Sequence, residues 1–411
     1  MIGNAARQAG ELDPEFNGGK VNLSHLGLDP VFMTQVRPTP DGGVLVTARG
    51  RRGERFISKF TRQGELDPNF REKGYFPIEA QQQLIVAVDG GFYLVDKLSA
   101  TRLFVEKFHA NGQPDERYGE KGKAIIDFAG VDSDLLGAEP PRTVPDLGST
   151  VLAALDGESL YVISAGYWGG WNGFRTVIAR LNPSGVLDQS FGKQGFVLFN
   201  RPGERFNLPI MAQIQSIAGQ PASLILQVDE VRPTFEWVPG YYSYLYRIKG
   251  AGSFDGNFGH EGRLSTHLDQ GLSVKYFVDE QQTLKAGCRY DYDKVEVHGW
   301  TVDGGQDENF EALSISMPPE MNIGLGLKSF GAGVDYRLVH FGSRHGEAEE
   351  KRDVYCYLAD GNGDPAFGEN GTVTLDVRYS GWLMNVELEV VPGTHDLFFT
   401  TVDDVFRLKG R

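Results

Sequence analysis

The chain has 411 residues, 40% of them hydrophobic, with 55 acidic against 40 basic side chains and a formal charge of −15. That balance argues against DNA or RNA as the principal partner, because phosphate binding needs concentrated basic surface; its ordinary consequence is solubility. Cys288 and Cys356 are the two cysteines and form no disulfide framework. Neither Met1–Gln8 nor any later run has the apolar stretch of a signal peptide or membrane helix. The expectation is no membrane insertion and a cytoplasmic location, with export by a non-classical route as the alternative.

In chain order, residues 1–9 read as a loose leader to a single domain over 10–411. At Gly10 a three-point frame begins, with an Asp three residues on (Asp13) and an aromatic three further (Phe16). It returns as Gly64, Asp67 and Phe70; Gly112, Asp115 and Tyr118; Gly185, Asp188 and Phe191. Three more copies follow, as Gly252, Asp255 and Phe258; Gly304, Asp307 and Phe310; Gly361, Asp364 and Phe367. Physically the frame is a tight strand connection. Gly accepts positive φ without steric cost, Asp caps the backbone two residues on, and Pro suits the next position, as at Pro14, Pro68 and Pro365. The aromatic is expected to plug the turn from below.

Between frames the strand pattern recurs. After Lys20–Leu23 comes a full cycle of Thr34–Pro38, Val44–Ala48, Arg55–Thr61 and Tyr75–Ile78, with the hairpin signal Asp41-Gly42-Gly43. The second cycle is Leu84–Val88, Phe92–Lys97, Arg102–Phe108 and Ala124–Phe128. A Pro-rich acidic link, Ala129–Ser149, precedes Val151–Leu155, Ser159–Ala165 and Thr176–Asn182. The fourth cycle uses Gln213–Ile217, Ser223–Val228 and Tyr242–Ile248, and the fifth Val274–Val278, Thr283–Gly287 and Lys294–Thr301. The sixth uses Leu325–Ser329, Asp335–Phe341 and Val354–Leu358. The last has three strands, near Val386–Val391, Asp396–Thr401 and Val405–Lys409.

Units of this length cannot bury a core alone and must stack, and the spacing suits four-stranded propeller blades. The register shows how the ring closes. An apolar residue stands seven before the Asp at Phe60, Phe108, Leu181 and Ile248, and Leu408 takes that place if Arg411 is joined to Gly10. The N-terminal strand therefore completes the last blade. The expected fold is an all-β, seven-bladed propeller of four-stranded blades, closed by Lys20–Leu23 pairing with Val405–Lys409; its rival is an open or six-bladed form. A basic residue stands eight before the Asp at Lys59, Lys107, Arg180, Arg247 and Arg407, while Gly299 and Cys356 occupy that place in the other two copies. A clamp on the turn or the neighbouring blade explains the repetition better than a ligand ring.

In its fullest copy, Gly185 to Gly195, the frame resembles the delta-60 repeat of bacterial proteins, G-x-L-D-x-x-F-G-x-x-G. The resemblance spans Gly10 to the C-terminus and implies a propeller-like fold without a defined activity. Two copies depart from it, Phe16-Asn-Gly-Gly19 and Phe310-Glu-Ala-Leu-Ser314, the latter lacking both later glycines.

Catalytic signatures are sparse. The chain has no G-x-S-x-G elbow, phosphate loop or H-E-x-x-H. Gly324-Leu-Gly326 reads as strand, and Asp360-Gly-Asn362-Gly-Asp364 fails as a calcium loop at Pro365 and Gly371. His340 and His345, and the pairs Asp291 with Asp293 and Asp403 with Asp404, fit loops and turns better than a metal or an acid/base pair. No cofactor or metal is expected. Above this background stand Tyr167, Trp168 and Trp171, and Trp237, Tyr241 and Tyr242, in Gly/Pro loops between the second and third strands of adjacent blades. They read either as packing plugs or as a stacking platform for a sugar or a protein. The expectation is a non-enzymatic binding scaffold for a carbohydrate or protein ligand. The alternatives are a glycan-acting enzyme and a structural part of a bacterial assembly.

Overall fold

The structure, a computed structural model, describes residues 9–26, 31–50, 52–79, 83–99, 101–128, 150–167, 174–199, 207–232, 240–265, 273–291, 294–316, 321–331, 335–344, 351–376, 387–401 and 404–410. The chain begins with the short strand β1, Lys20–Asn22. Blade 1 is β2 (Val31–Pro38), β3 (Val44–Gly50), β4 (Arg55–Phe60) and β5 (Tyr75–Pro77); blade 2 is β6 (Gln83–Val86), β7 (Phe92–Ser99), β8 (Arg102–Phe108) and β9 (Lys123–Asp127). Blade 3 is β10 (Thr150–Asp156), β11 (Ser159–Tyr167), β12 (Phe174–Leu181) and β13 (Phe196–Phe199). Blade 4 is β14 (Asn207–Gln215), β15 (Ser223–Arg232), β16 (Gly240–Ile248) and β17 (Arg263–Ser265). Blade 5 is β18 (Ser273–Val278), β19 (Leu284–Asp291), β20 (Lys294–Trp300) and β21 (Leu313–Ser316). Blade 6 is β22 (Met321–Phe330), β23 (Arg337–Arg344), β24 (Lys351–Leu358) and β25 (Thr372–Asp376). Blade 7 takes β26 (Leu388–Val390), β27 (Leu397–Thr400) and β28 (Asp404–Leu408), and its fourth strand is β1.

Seven four-stranded antiparallel sheets result. The first strands form the inner wall, each beside the next from β2 through β26, and β26 returns to β2. The closure has the register expected from Leu408, with Lys20 opposite Phe406, Val21 opposite Val405 and Asn22 opposite Asp404. Lys20 and Asn22 both reach the Asp404 carboxylate, at 3.4 and 2.8 Å. Pairing with β1 covers the outer edge of β28, so blade 7 ends, like the other six, in a short outer strand.

The repeated frame behaves as its chemistry dictates. All seven aspartates accept a hydrogen bond through Oδ1 from the amide two residues on, at 2.9–3.2 Å. All seven aspartate carbonyls accept the amide of the frame's aromatic. The seven leading glycines hold φ between +76° and +85°. Six aromatics are fully buried, each contributing about 2–3 kcal/mol by area. Phe310, in the degenerate sixth copy, is half-buried.

The frame also joins the blades. The residue after each aromatic donates its amide to the carbonyl just before the next frame's glycine, as Asn17 to Gln63, Arg71 to Asn111, Gly119 to Ser184, Gly192 to Ala251, and Gly259 to Asp303. Gly368 donates in the same way to Ala9, just before the first frame's Gly10. Glu311 makes no such bond to Asp360, so among the described residues this backbone link is missing between blades 5 and 6. The six linking residues all hold positive φ, Asn17 and Arg71 among them, whereas Glu311 does not and β21 begins two residues later.

The basic residues clamp the same turns. Lys59, Lys107, Arg180, Arg247 and Arg407 pair with Asp67, Asp115, Asp188, Asp255 and Asp13 at 3.1, 3.1, 2.7, 2.6 and 3.3 Å. The arginines reach further, Arg247 donating to Val302 O at 2.9 Å and Arg407 to Arg62 O at 3.2 Å, both on the next blade. Where the sequence shows Gly299 and Cys356, the clamp persists from another strand. Lys285, directly opposite Gly299, stands 3.5 Å from Asp307, and Arg337 bonds Asp364.

Candidate binding face and axial cavity

In this up-and-down topology the frame turns and first hairpins share one face of the disc. The connections between second and third strands, and the links between blades, share the other. Of the sequence-predicted aromatics, Tyr167, Tyr241 and Tyr242 lie among the described residues, at the ends of strands that run to this second face. Tyr167 ends β11 opposite Phe174, and Tyr241 and Tyr242 lie within β16, opposite Val231 and Glu230. These three therefore belong to strand arms longer than the sequence pattern suggested. Trp168, Trp171 and Trp237 lie outside the described residues, as do His345, Asp293 and Asp403 and the whole Ala129–Ser149 link. His340 is buried in blade 6.

Near the start of the blade 4 arm stands Asp229, which pairs with Ser243 across β15 and β16. Its Oδ1 accepts the Ser243 hydroxyl and, at 3.4 Å, the Gln227 amide. Burial raises the Asp229 carboxyl above the ordinary range, and these two hydrogen bonds offset only part of that.

The axis of the ring holds a feature the sequence did not announce. A cavity of about 240 Å³ is lined by inner strands from all seven blades. Arg37 Nη1 bonds Glu387 Oε2 at 2.5 Å and Glu389 Oε1 at 3.3 Å, while Lys328 Nζ stands 3.1 Å from Glu389 Oε2. Burial pulls the Arg37 pKa down, but Glu387 and Glu389 outweigh it and raise the value above that of free arginine. Neighbouring blades are tied here by side chains that cap inner-strand amides. Glu387 accepts Val36 N at 2.9 Å, Gln213 accepts Val278 N at 2.7 Å, and Gln35 accepts Leu84 N. Among the described residues no cluster of three metal-ligating side chains occurs, and no helix is long and apolar enough to cross a membrane.

Fold and frame together define a β-propeller built from sequence repeats. Residues 167–191, from the end of β11 to the buried Phe191, match the family model described as domain of unknown function (DUF5122) beta-propeller. No curated protein matches the chain. Among solved structures, the acylaminoacyl peptidase of Pyrococcus horikoshii is 11% identical over 92% of this chain, with a TM-score of 0.42. The alignment covers 52% of the peptidase, so this chain spans about half its length. A GH93 α-L-arabinofuranosidase of Fusarium graminearum, in complex with arabinobiose, is 11% identical over 79% of this chain and 92% of its own, with a TM-score of 0.43. The GH43 endo-arabinanase from Bacillus licheniformis is 12% identical over 65% of this chain and 95% of its own, at a TM-score of 0.33. Likeness at this level says nothing about activity.

Proposed function

We propose that the protein is a non-catalytic binding scaffold of the delta-60 repeat type, holding a carbohydrate or protein ligand on the face opposite the frame turns. The observation that carries this reading is the asymmetry of the disc. One face is fixed by seven equivalent Asx turns and six backbone links. The other carries connections of unequal length, 51–54, 100–101, 168–173, 233–239, 292–293, 345–350 and 401–403, together with the blade links. Variable loops on a rigid scaffold are where recognition usually resides. Trp168, Trp171, Trp237 and Tyr241, on adjacent blades 3 and 4, are the proposed contacts, with Tyr167 and Tyr242 beside them. A glycan array and a partner capture on the purified protein would identify the ligand. Changing Trp171→Ala and Trp237→Ala together should then abolish binding while melting stays unchanged. Undiminished binding contradicts the site, and loss of folding identifies the aromatics as packing plugs.

A glycan-acting enzyme is the second reading, and Asp229 favours it, since a carboxyl raised by burial can serve as a general acid. It needs a second carboxylate within about 5–10 Å. A hydrolysis assay run beside the array separates the two readings.

A further inference from the structure

We propose that the axial cavity is a second binding site, for one neutral polyhydroxylated molecule of monosaccharide size. Two properties of its wall lead there. Leu152, Ile210, Met211 and Phe277, from blades 3 to 5, make an apolar side, and Ile210 keeps 40% of its surface exposed. Blades 6, 7 and 1 make a charged side from Lys328, Glu387, Glu389 and Arg37, whose two positive and two negative charges cancel. An anion would meet the two glutamates there, and a cation would meet Arg37 and Lys328. A neutral ligand avoids both penalties.

The polar side also has unused capacity. Arg37 spends only Nη1, on Val36 O, Glu387 and Glu389, and its Nε and Nη2 make no hydrogen bond among the described residues. Gln213 accepts Val278 N through Oε1, while its Nε2 makes no hydrogen bond among the described residues. The same holds for both amide atoms of Gln83, which also lines the cavity. These donors open into a space of about 240 Å³ beside an apolar wall, free to bond acceptors that enter it. Waters could supply some, at ~30 Å³ each. Ordered water gains nothing from the face of Ile210 and Phe277, whereas a sugar ring presents hydroxyls at its edge and C–H groups on its face. The cavity continues towards the frame face as a recess of about 290 Å³, bounded by Leu155, Ile214, Val278 and Asp279. That face is opposite the aromatic loops, so this site is independent of the proposed loop site.

The test is calorimetric titration of the full chain with D-glucose, D-galactose and myo-inositol in turn. At least one should bind saturably at one site per chain. Ile210→Trp, which fills the cavity from its exposed wall, should abolish that binding. Gln83→Leu should weaken it about five-fold, the loss of one neutral hydrogen bond. The Trp171→Ala, Trp237→Ala pair should leave it unchanged. If Ile210→Trp fails to fold, Gln83→Leu decides. Absence of binding by all three probes overturns the proposal, and so does undiminished binding by the cavity variants. Loss of binding in the tryptophan pair places the sugar on the loop face instead.

Discussion

The clamp between blades 4 and 5 allows a quantitative test, because Arg247 and Asp255 are both nearly inaccessible, at 6% and 4% exposure. Arg247 gives Nε and Nη2 to Asp255 at 2.8 and 2.6 Å, Nη1 to Val302 O at 2.9 Å and Nη2 to Asp303 at 2.9 Å. Arg247→Met preserves the stem and removes all of these. Breaking a buried ion pair from one side costs about 3–5 kcal/mol. Lys249 remains 3.1 Å from Asp255 and keeps it partly neutralised, so the lower end, about 3 kcal/mol, is expected. Arg180→Met is the internal control. Its pair with Asp188 has side-chain exposures of 14% and 24%, against 7% and 6% for Arg247 with Asp255. Solvent screening should hold its cost near 1 kcal/mol. Urea unfolding followed by tryptophan fluorescence measures both, with Trp300 packed against the blade 4 core as a local reporter. An Arg247→Met cost below about 0.5 kcal/mol, the range of an ordinary surface change, would refute the clamp. So would equal costs for the two variants.

Two further outcomes follow from the frame. In the folded chain Asp115 and Asp255 sit below the ordinary carboxylate range, because the ion pairs and amide bonds outweigh burial; Asp188 does so first through Ser190 and then through Arg180. A depressed folded value means that the unfolded chain binds more protons in acid. The stability is therefore full above the unfolded value of about 4 and is lost as pH falls through the folded values. Asp229, whose carboxyl burial raises, acts in the opposite sense and gains stability as pH falls towards the unfolded value, so the decline in urea midpoint belongs below about pH 4; a midpoint that goes on rising below about pH 4 contradicts this. Separately, Gly192→Ala should cost about 3 kcal/mol, since Gly192 has φ +55° and an added Cβ would lie 2.1 Å from Phe196 O. Gly18→Ala, at φ +75° with open space around it, should cost about 1 kcal/mol, and similar losses would show that the frame's close approach is not limiting.

What the sequence disclosed follows the range of each interaction. The frame was legible because its glycine, aspartate and aromatic act within six residues of one another. The closure was legible because Leu408 carries the same register as Phe60 across the chain ends. The replacement clamps Lys285 and Arg337 were missed because their relation to Asp307 and Asp364 runs across strands, and the pattern held only a Gly and a Cys. Lys285 directly opposite Gly299 was the available signal, readable once β19 and β20 are paired. The axial charges were invisible for the same reason, since Arg37, Lys328 and Glu389 come from three blades and meet only in the closed ring. Strand limits were misread mainly on the loop face. There β15 and β16 run on to Arg232 and Gly240 by mutual pairing, where the Gly/Pro content suggested loop.

The most direct test of the closed ring uses β1 and β28, which lie at opposite ends of the chain. Val21 and Val405 are buried cross-strand partners in the closure. In the variant Val21→Cys, Val405→Cys, mild oxidation should produce an intramolecular disulfide, seen as faster migration on a non-reducing gel. The shifted pair Val21→Cys, Leu408→Cys separates the sulfurs by about 10 Å along the strand, beyond disulfide reach, and should stay reduced. A folded, strand-rich Val21→Cys, Val405→Cys variant that forms no such link, or links no better than the shifted pair, would contradict closure of the propeller by its N-terminal strand.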